Sequence, residues 1–233
     1  MKEYVAYYFA FMDLLGFKEI VKTSTCDEIA EIFDEAKKRF VINQEIGDKS
    51  VPVVSPQDIH YYVMSDSVCI FIRDNIKSAL PVLTWLCLNF QVRMLCQKRP
   101  VFVRGSIVRG KAFEEQNVLF GPAMVEAYLR AEKLAQYPRI IIPMDLCEEI
   151  TDTTDKAFMN GFTHLEQDGF FVINYLDYFS FHASAKEHRE GVINYVNHMI
   201  NDSLDQSVRD KYLYVQFWLD YYTKQREAEA HEQ

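Results

Sequence analysis

The sequence predicts an α+β protein: a ferredoxin-like β-α-β-β-α-β core followed by a helical extension. Three patterns carry that expectation. An apolar run, Tyr4 to Asp13, reads as a buried strand. Two strand-like arms, Asp58 to Met64 and Val68 to Ile72, flank the short turn Ser65-Asp66-Ser67 and read as a hairpin. Helical stretches lie on either side of that hairpin, and a further strand, Val101 to Arg109, follows the second helix. Strand, helix, hairpin, helix, strand is the order of that motif, and it sets the first strand in mid-sheet beside the hairpin.

The elements are justified in turn. Cys26 to Glu45 carries Ile29, Ile32, Phe33, Ala36, Phe40 and Val41 at helical spacing. Gly47 to Gln57 holds Pro52 and Pro56 and reads as a loop. Asn75 to Gln97 is a helix with a stripe of Ile76, Leu80, Leu83, Cys87, Phe90 and Met94. Gly121 to Gln136 is a helix entered through Gly-Pro, and proline is favourable in a first helical turn. A short strand (Arg139 to Ile142), a helix (Met144 to Ile150) and a second hairpin (Phe162–Leu165 and Phe170–Ile173, turning at Gln167-Asp168-Gly169) follow. Residues 1–180 form the expected catalytic-type domain. Residues 181–233 form the expected extension, with helices over Ala185 to Leu204 and Val208 to Gln225 and a polar, frayed tail from Arg226, packed on the same domain.

Composition narrows the function classes. The chain has 233 residues, 49% of them hydrophobic, so a sizeable core is expected. A net charge of −9 argues against general affinity for nucleic-acid backbone, which needs clustered Lys and Arg. It leaves room for a nucleotide whose charge is met by metal ions and a few arginines. The five cysteines show no CxxC pair and read as reduced, mostly buried thiols. No export signal is apparent after Met1-Lys2-Glu3-Tyr4, and the apolar stretch Ala79 to Phe90 is broken by Pro81, so a cytoplasmic location away from membranes is the expectation. Asn201-Asp202-Ser203 matches a glycosylation sequon that such a location leaves unused.

Two segments carry chemistry. Phe9-Ala10-Phe11-Met12-Asp13-Leu14-Leu15-Gly16-Phe17 is a strand ending on an aspartate and entering a glycine turn. Tyr62-Val63-Met64-Ser65-Asp66-Ser67-Val68-Cys69-Ile70 is a strand-turn-strand with an aspartate at its tip. The topology brings Asp13 and Asp66 together at one sheet edge, where two carboxylates can hold divalent cations over a triphosphate. Gly16 permits close approach, and the N–H groups of Leu15, Gly16 and Phe17 are candidate phosphate donors at a helix start. Arg104 is a candidate phosphate partner through its planar fork. Each feature has a plainer counterpart: Asp13 as a helix cap, the Ser-Asp-Ser turn as ordinary hairpin chemistry, Arg104 as a strand-edge ion pair.

Taken together, the segments resemble class III nucleotidyl cyclases. Phe11-Met12-Asp13-Leu14-Leu15-Gly16-Phe17 is similar to their first metal motif, and Ser65-Asp66-Ser67 to the turn carrying the second metal aspartate. Val103-Arg104-Gly105-Ser106-Ile107 is similar to their Arg-x-Gly-Ile strand, and Gly121 to Tyr128 to their Gly-x-x-Val-Asn-x-Ala helix. The resemblance spans about Tyr4 to Ile173. It implies two Mg²⁺ or Mn²⁺ ions per site, held by Asp13, Asp66 and the Leu14 carbonyl. It also implies a homodimer with composite active sites.

The departures point to the substrate. Where purine cyclases carry a base-reading Lys this chain has Tyr62, and where they carry the base-reading Asp it has Leu119. A purine there leaves polar groups unpaired, at roughly 1–3 kcal/mol each. With the Ser-Asp-Ser turn, the Arg-Gly strand and the run through Tyr137-Pro138-Arg139-Ile140, the chain most resembles the pyrimidine cyclases of bacterial Pycsar anti-phage defence. That resemblance implies conversion of UTP, or alternatively CTP, to a 3′,5′-cyclic monophosphate that acts through a separate cyclic-nucleotide-binding effector. The family's transition-state Asn and Arg fall on Val125 and Leu129. Arg130, about 100° further round the helix, is the candidate replacement, with Arg109 and Lys111 as alternatives. Those two losses keep open a reading of another class: a degenerate cyclase-fold module that binds nucleotide or dimerises. A diguanylate-cyclase palm is disfavoured by the lack of a Gly-Gly-(Asp/Glu)-Glu-Phe run.

Overall fold

A computed structural model describes residues 2–38, 54–203 and 205–231. The chain runs β1 (Val5–Leu14), α1 (Phe17–Thr23), α2 (Cys26–Lys38), β2 (Ile59–Met64), β3 (Ser67–Arg73), α3 (Ala79–Leu95), β4 (Val103–Glu115), β5 (Val118–Phe120), α4 (Pro122–Lys133), β6 (Ile140–Pro143), α5 (Met144–Glu148), α6 (Thr153–Asn160), β7 (Thr163–Leu165), β8 (Phe170–Ile173), α7 (Tyr175–Phe181), α8 (Arg189–Asp202) and α9 (Gln206–His231). The sheet order is β2-β3-β1-β4-β6-β8-β7, with β5 paired to the far end of β4. The first four strands are antiparallel in the order 2-3-1-4, which is the expected ferredoxin-like core. β6 joins parallel to β4, and β8 and β7 complete the sheet antiparallel.

β1 reads as one apolar run because both of its faces are covered. Ala10, Met12 and Leu14 enter the larger core with α3, α7, α8 and α9, while Tyr7, Phe9 and Phe11 enter a second core beneath α4. The α4 contact is made by small residues. Ala123, Ala127 and Ala131 recur every fourth residue and are buried, and the Ser106 hydroxyl donates to the Ala127 carbonyl at 2.8 Å. Val192, Val196 and Ile200 of α8 and Val215, Leu219 and Tyr222 of α9 are buried in the larger core with Met12 and Ile70. Among the described residues no helix is long and apolar enough to cross a membrane.

Several boundaries differ from expectation, each for a local reason. α3 begins at Ala79 rather than Asn75, because Pro81 lacks an N–H and fits only the first turn. β4 runs on to Glu115 and returns through Gln116 and Asn117, both at positive φ, into the unforeseen β5. The unforeseen α6 is capped by Asp152, whose carboxylate accepts from the Thr154 and Asp155 N–H groups. The unforeseen α7 follows directly on β8. Cys26 is exposed, unlike the buried Cys69 and Cys87. The expected extension of the second helix through Phe40 and Val41, the loop from Gly47 to Val53 with Pro52, and the end of the tail at Glu232 and Gln233 lie outside the described residues.

An ion-pair cluster fastens the second hairpin to α9. The Arg139 guanidinium, almost fully buried, bonds both Glu166 and Asp168, and the Tyr214 hydroxyl donates to Glu166 at 2.7 Å. Burial opposes ionisation of Glu166. The His164 ring, with Nε2 3.5 Å away, the Tyr214 hydrogen bond and the Arg139 charge outweigh it and hold this carboxyl below its ordinary 4.5. A lowered folded-state pKa adds stability that is complete above that value and fades as pH falls below it. Glu166→Gln should therefore flatten the acid limb of a melting-temperature profile taken from neutral pH down through 4.5; a limb as steep as the wild type's contradicts this.

The close approach of β4 to β1 yields a second test. A Cβ on Gly105 would lie 2.4 Å from the Phe11 carbonyl oxygen, so the backbone would have to shift. Gly105→Ala should cost roughly 2 kcal/mol in urea denaturation. A change within about 0.5 kcal/mol, the range of ordinary surface substitutions, would show that this contact yields freely.

Candidate functional site

Three strand ends converge at one edge of the sheet. Asp13, next to last in β1, sits opposite Ser67 on β3 and opposite Arg104 on β4. The Leu14 N–H donates to the Asp66 carbonyl at 2.9 Å, which ties the tip of the β2–β3 hairpin to the end of β1. The hairpin turns on Ser65 and Asp66 alone, with Ser65 at φ 55. Residues 13 and 66 thus occupy the same corner, and strand alternation puts Asp13 on the Phe11 face, beneath α4. Beyond Asp13 the Leu14 side chain is buried. Gly16 at φ 76 then turns the chain into α1, where its carbonyl accepts from Glu19 and Ile20.

Two of the expected phosphate groups are already engaged. The Leu15 N–H is spent on the Phe102 carbonyl at 2.8 Å, because the chain still pairs with the segment leading into β4. This corrects the expectation that Leu15 donates to phosphate, and leaves Gly16 and Phe17 as the backbone candidates. Arg104 donates from Nε to Asp13 Oδ2 at 2.7 Å, with both side chains about four-fifths buried (23% and 20% exposed). Beside this pair stands Tyr128 of α4, its ring edge-on to Phe11 at 5.5 Å. The Glu132 charge and hydrogen bond push the Tyr128 phenol up, Arg104 pulls it down and Asp13 raises it, so all four groups share one field. Glu132 lies one turn from Tyr128 on the helix carrying the Gly-Pro motif, and that spacing is its only signal in the sequence.

The same sheet face carries an aromatic platform. Phe71 stacks with His60 (5.0 Å, 7°), Tyr62 (5.9 Å, 23°) and Phe9 (5.1 Å, 12°), and meets Tyr7 edge-on. The Tyr62 hydroxyl donates to Glu114 Oε1 at 2.7 Å, and His60 Nδ1 lies 3.5 Å from Glu114 Oε2. Partial burial first, and Glu114 second, push the Tyr62 phenol up to about 12. Leu119 pairs with Glu114 in the β4–β5 ladder and packs on the same core. The structure therefore brings Tyr62 and Leu119 to one face. Glu114 was missed as a site residue because the β4–β5 hairpin was not foreseen; its signal is the Gln116-Asn117 turn. His60 lies on the expected β2 arm, and only its pairing with Phe71 brings its ring to the platform. Tyr62 sits opposite Cys69, which sits opposite Phe11, two residues before Asp13. Two strand spacings and two residue rises put Tyr62 about 12 Å from Asp13 along the sheet.

The candidate arginines are not brought to this corner within one chain. Arg130 bonds Glu126 at 3.0 Å and lies two positions after Tyr128, about 200° round α4. It lines an open groove of about 750 Å³ with exposed Tyr4, Phe120, Val125, Leu129 and Leu134. Arg109 pairs with Asp74 and Glu149 and lies over Tyr8, on the opposite sheet face from Asp13. Lys111, opposite Ala6, is at the other end of β1.

The donor chemistry at the corner fits Mg²⁺ or Mn²⁺. Asp13 and Asp66 offer the hard carboxylate oxygens that these ions take; among the described residues no group of three or more His, Cys, Asp or Glu is placed to hold a metal ion.

No protein-family model and no curated protein matches the chain. Among solved structures it is similar to the adenylyl cyclase CyaB from P. aeruginosa, with TM-score 0.48, 11% identity, and coverage of 74% of this chain and 95% of that one. It is also similar to the catalytic core of a rhodopsin-guanylyl cyclase with converted specificity, in complex with ATPalphaS, with TM-score 0.46, 12% identity, and coverage of 74% and 97%. At such scores and identities the chemistry has to come from the residues themselves.

The Arg104–Asp13 pair makes a prediction of its own. Removing one partner of a mostly buried pair leaves the other uncompensated. Arg104→Met should lower the melting temperature of metal-free protein, and Mn²⁺ should raise that variant's melting temperature more than the wild type's. Equal Mn²⁺ responses would show that Asp13 does not meet the ion.

Proposed function

We propose that the protein is a nucleotidyl cyclase that converts a pyrimidine nucleoside triphosphate, UTP first and CTP second, to its 3′,5′-cyclic monophosphate. One observation carries the reading. Asp13 and Asp66 share a sheet corner with Arg104, and Tyr62, at the edge of the aromatic platform built on Phe71, lies on the same face about 12 Å away, a separation suited to a triphosphate at one end and a base at the other.

In the reaction the ribose 3′-oxygen bonds to the α-phosphorus, the bond from that phosphorus to the bridging oxygen breaks, and pyrophosphate leaves. The hydroxyl proton passes to solvent. Two Mg²⁺ or Mn²⁺ ions on Asp13, Asp66 and the Leu14 carbonyl would acidify the 3′-OH and offset charge on the α-phosphate and the leaving group. Arg104 gains phosphate oxygens as an alternative partner to Asp13, and its fork suits them. Gly16 and Phe17 supply backbone N–H groups at the turn. Tyr62 fills the base end with a ring where a purine would need room, and Leu119 gives that end an apolar wall.

The exposed apolar surface formed by Val125 and Leu129 of α4 and Phe120 of β5 suits a second copy of the chain. Arg130 lies on that surface, so a homodimer with composite sites offers it the partner's nucleotide. The resemblance to Pycsar enzymes supports a signalling role in phage defence through a separate effector. Val125 and Leu129, standing where the resembling family has Asn and Arg, favour the second reading: a module that binds nucleotide without turnover.

Incubating the protein with each of the four NTPs and Mn²⁺, then resolving the products, separates these readings. Cyclic UMP or cyclic CMP is expected, with a loss of at least about a hundredfold in Asp66→Asn, the scale on which loss of an electrostatic catalytic group is felt. Cyclic AMP alone would overturn the base-end assignment. Nucleotide binding without product, unaffected by Asp66→Asn, would favour the module.

A further inference from the structure

We infer that Glu114 determines what Tyr62 can recognise, fixing the phenol as a hydrogen-bond acceptor so that the ligand base must present an N–H to it. This rests on the base-end reading of Tyr62 above. An ionised carboxylate has lone pairs and no proton, so in the 2.7 Å contact Tyr62 must be the donor. The phenol proton is then committed, and only oxygen lone pairs remain for a ligand. The stacking of Tyr62 on Phe71, with His60 beside it, holds the phenol oxygen next to Glu114; the O–H can turn about its C–O bond, but the charged carboxylate at 2.7 Å is a stronger acceptor than a neutral base carbonyl and keeps the proton. Glu114 itself is held by β-pairing with Leu119.

The surface offered to a base is therefore rich in acceptors. Uracil meets it with N3–H and cytosine with its 4-amino group; a carbonyl or bare ring nitrogen turned towards it would face lone pairs without a proton between them. Glu114 touches Tyr62 rather than the reacting atoms, so it is a specificity-positioning residue. Its effect belongs to the base and not to the phosphates.

The test reads the base-dependent part of affinity. Calorimetry with Ca²⁺ compares UTP with inorganic tripolyphosphate on the wild type, Glu114→Leu, Tyr62→Phe, the double variant and Glu114→Gln. The wild type should favour UTP. Glu114→Leu and Tyr62→Phe should each cut that preference about tenfold, the scale of one hydrogen bond, with tripolyphosphate unchanged. The double variant should lose no more than either single one, and Glu114→Gln, whose carbonyl still accepts the phenol proton, should stay within about threefold of the wild type. Glu114→Ala replaces the leucine variant if that one does not fold. Equal weakening of both ligands, or additive losses in the double variant, would assign Glu114 a merely structural part and overturn the inference while leaving the cyclase reading intact. UTP binding that follows this cycle without any cyclic product would uphold the inference and remove the cyclase. A wild type that prefers UTP no more than tripolyphosphate would overturn it.

Discussion

The hydrogen bond from the Leu14 N–H to the Asp66 carbonyl is the joint on which the site depends. It forms only because β1 lies between β3 and β4, so that the hairpin tip and the start of β4 both meet the end of one buried strand. Burial of β1 on both faces fixes its register. A slip of one residue would carry Met12 to the α4 face and Phe11 to the α3 face, and would exchange the positions of Asp13 and Leu14. The apolar cores and the polar corner are thus one constraint: the packing of Phe9, Phe11 and Met12 positions Asp13.

The corner is built from opposed charges held in a partly dry place. Arg104 neutralises Asp13 at 2.7 Å, and Tyr128 and Glu132 extend the same field from α4. Such a pair adds little net stability where it is mostly shielded from water, yet it costs more to break from one side. In the proposed reading, a cation and a phosphate arriving together would give each member a new partner, so the pair would open without leaving either charge bare. The aromatic platform has a different physics. Phe71 supplies a broad face against which His60 and Tyr62 stack, and Glu114 supplies direction.

Much of this was legible in the residues. The continuous apolar run before Asp13, the Ser-Asp-Ser turn and the Gly-Pro entry to α4 each have a local cause that tertiary structure did not override. The unread parts depend on pairings distant in sequence. Arg104 meets Asp13 across 91 positions and Tyr62 meets Glu114 across 52, and no local periodicity encodes either. Leu15 looked available because its engagement by Phe102 belongs to a pairing that starts before β4 does. Pro81 should have moved the start of α3, and Asp152 with the threonines after it should have announced α6.

The most direct measurement of the central claim is a crystal structure with a non-hydrolysable UTP analogue and Mn²⁺, using the anomalous signal of the metal. The account predicts manganese peaks in contact with both Asp13 and Asp66, Arg104 turned from Asp13 towards phosphate, and the base against Tyr62. Metal and nucleotide bound elsewhere, with the Arg104–Asp13 bond intact, would contradict it.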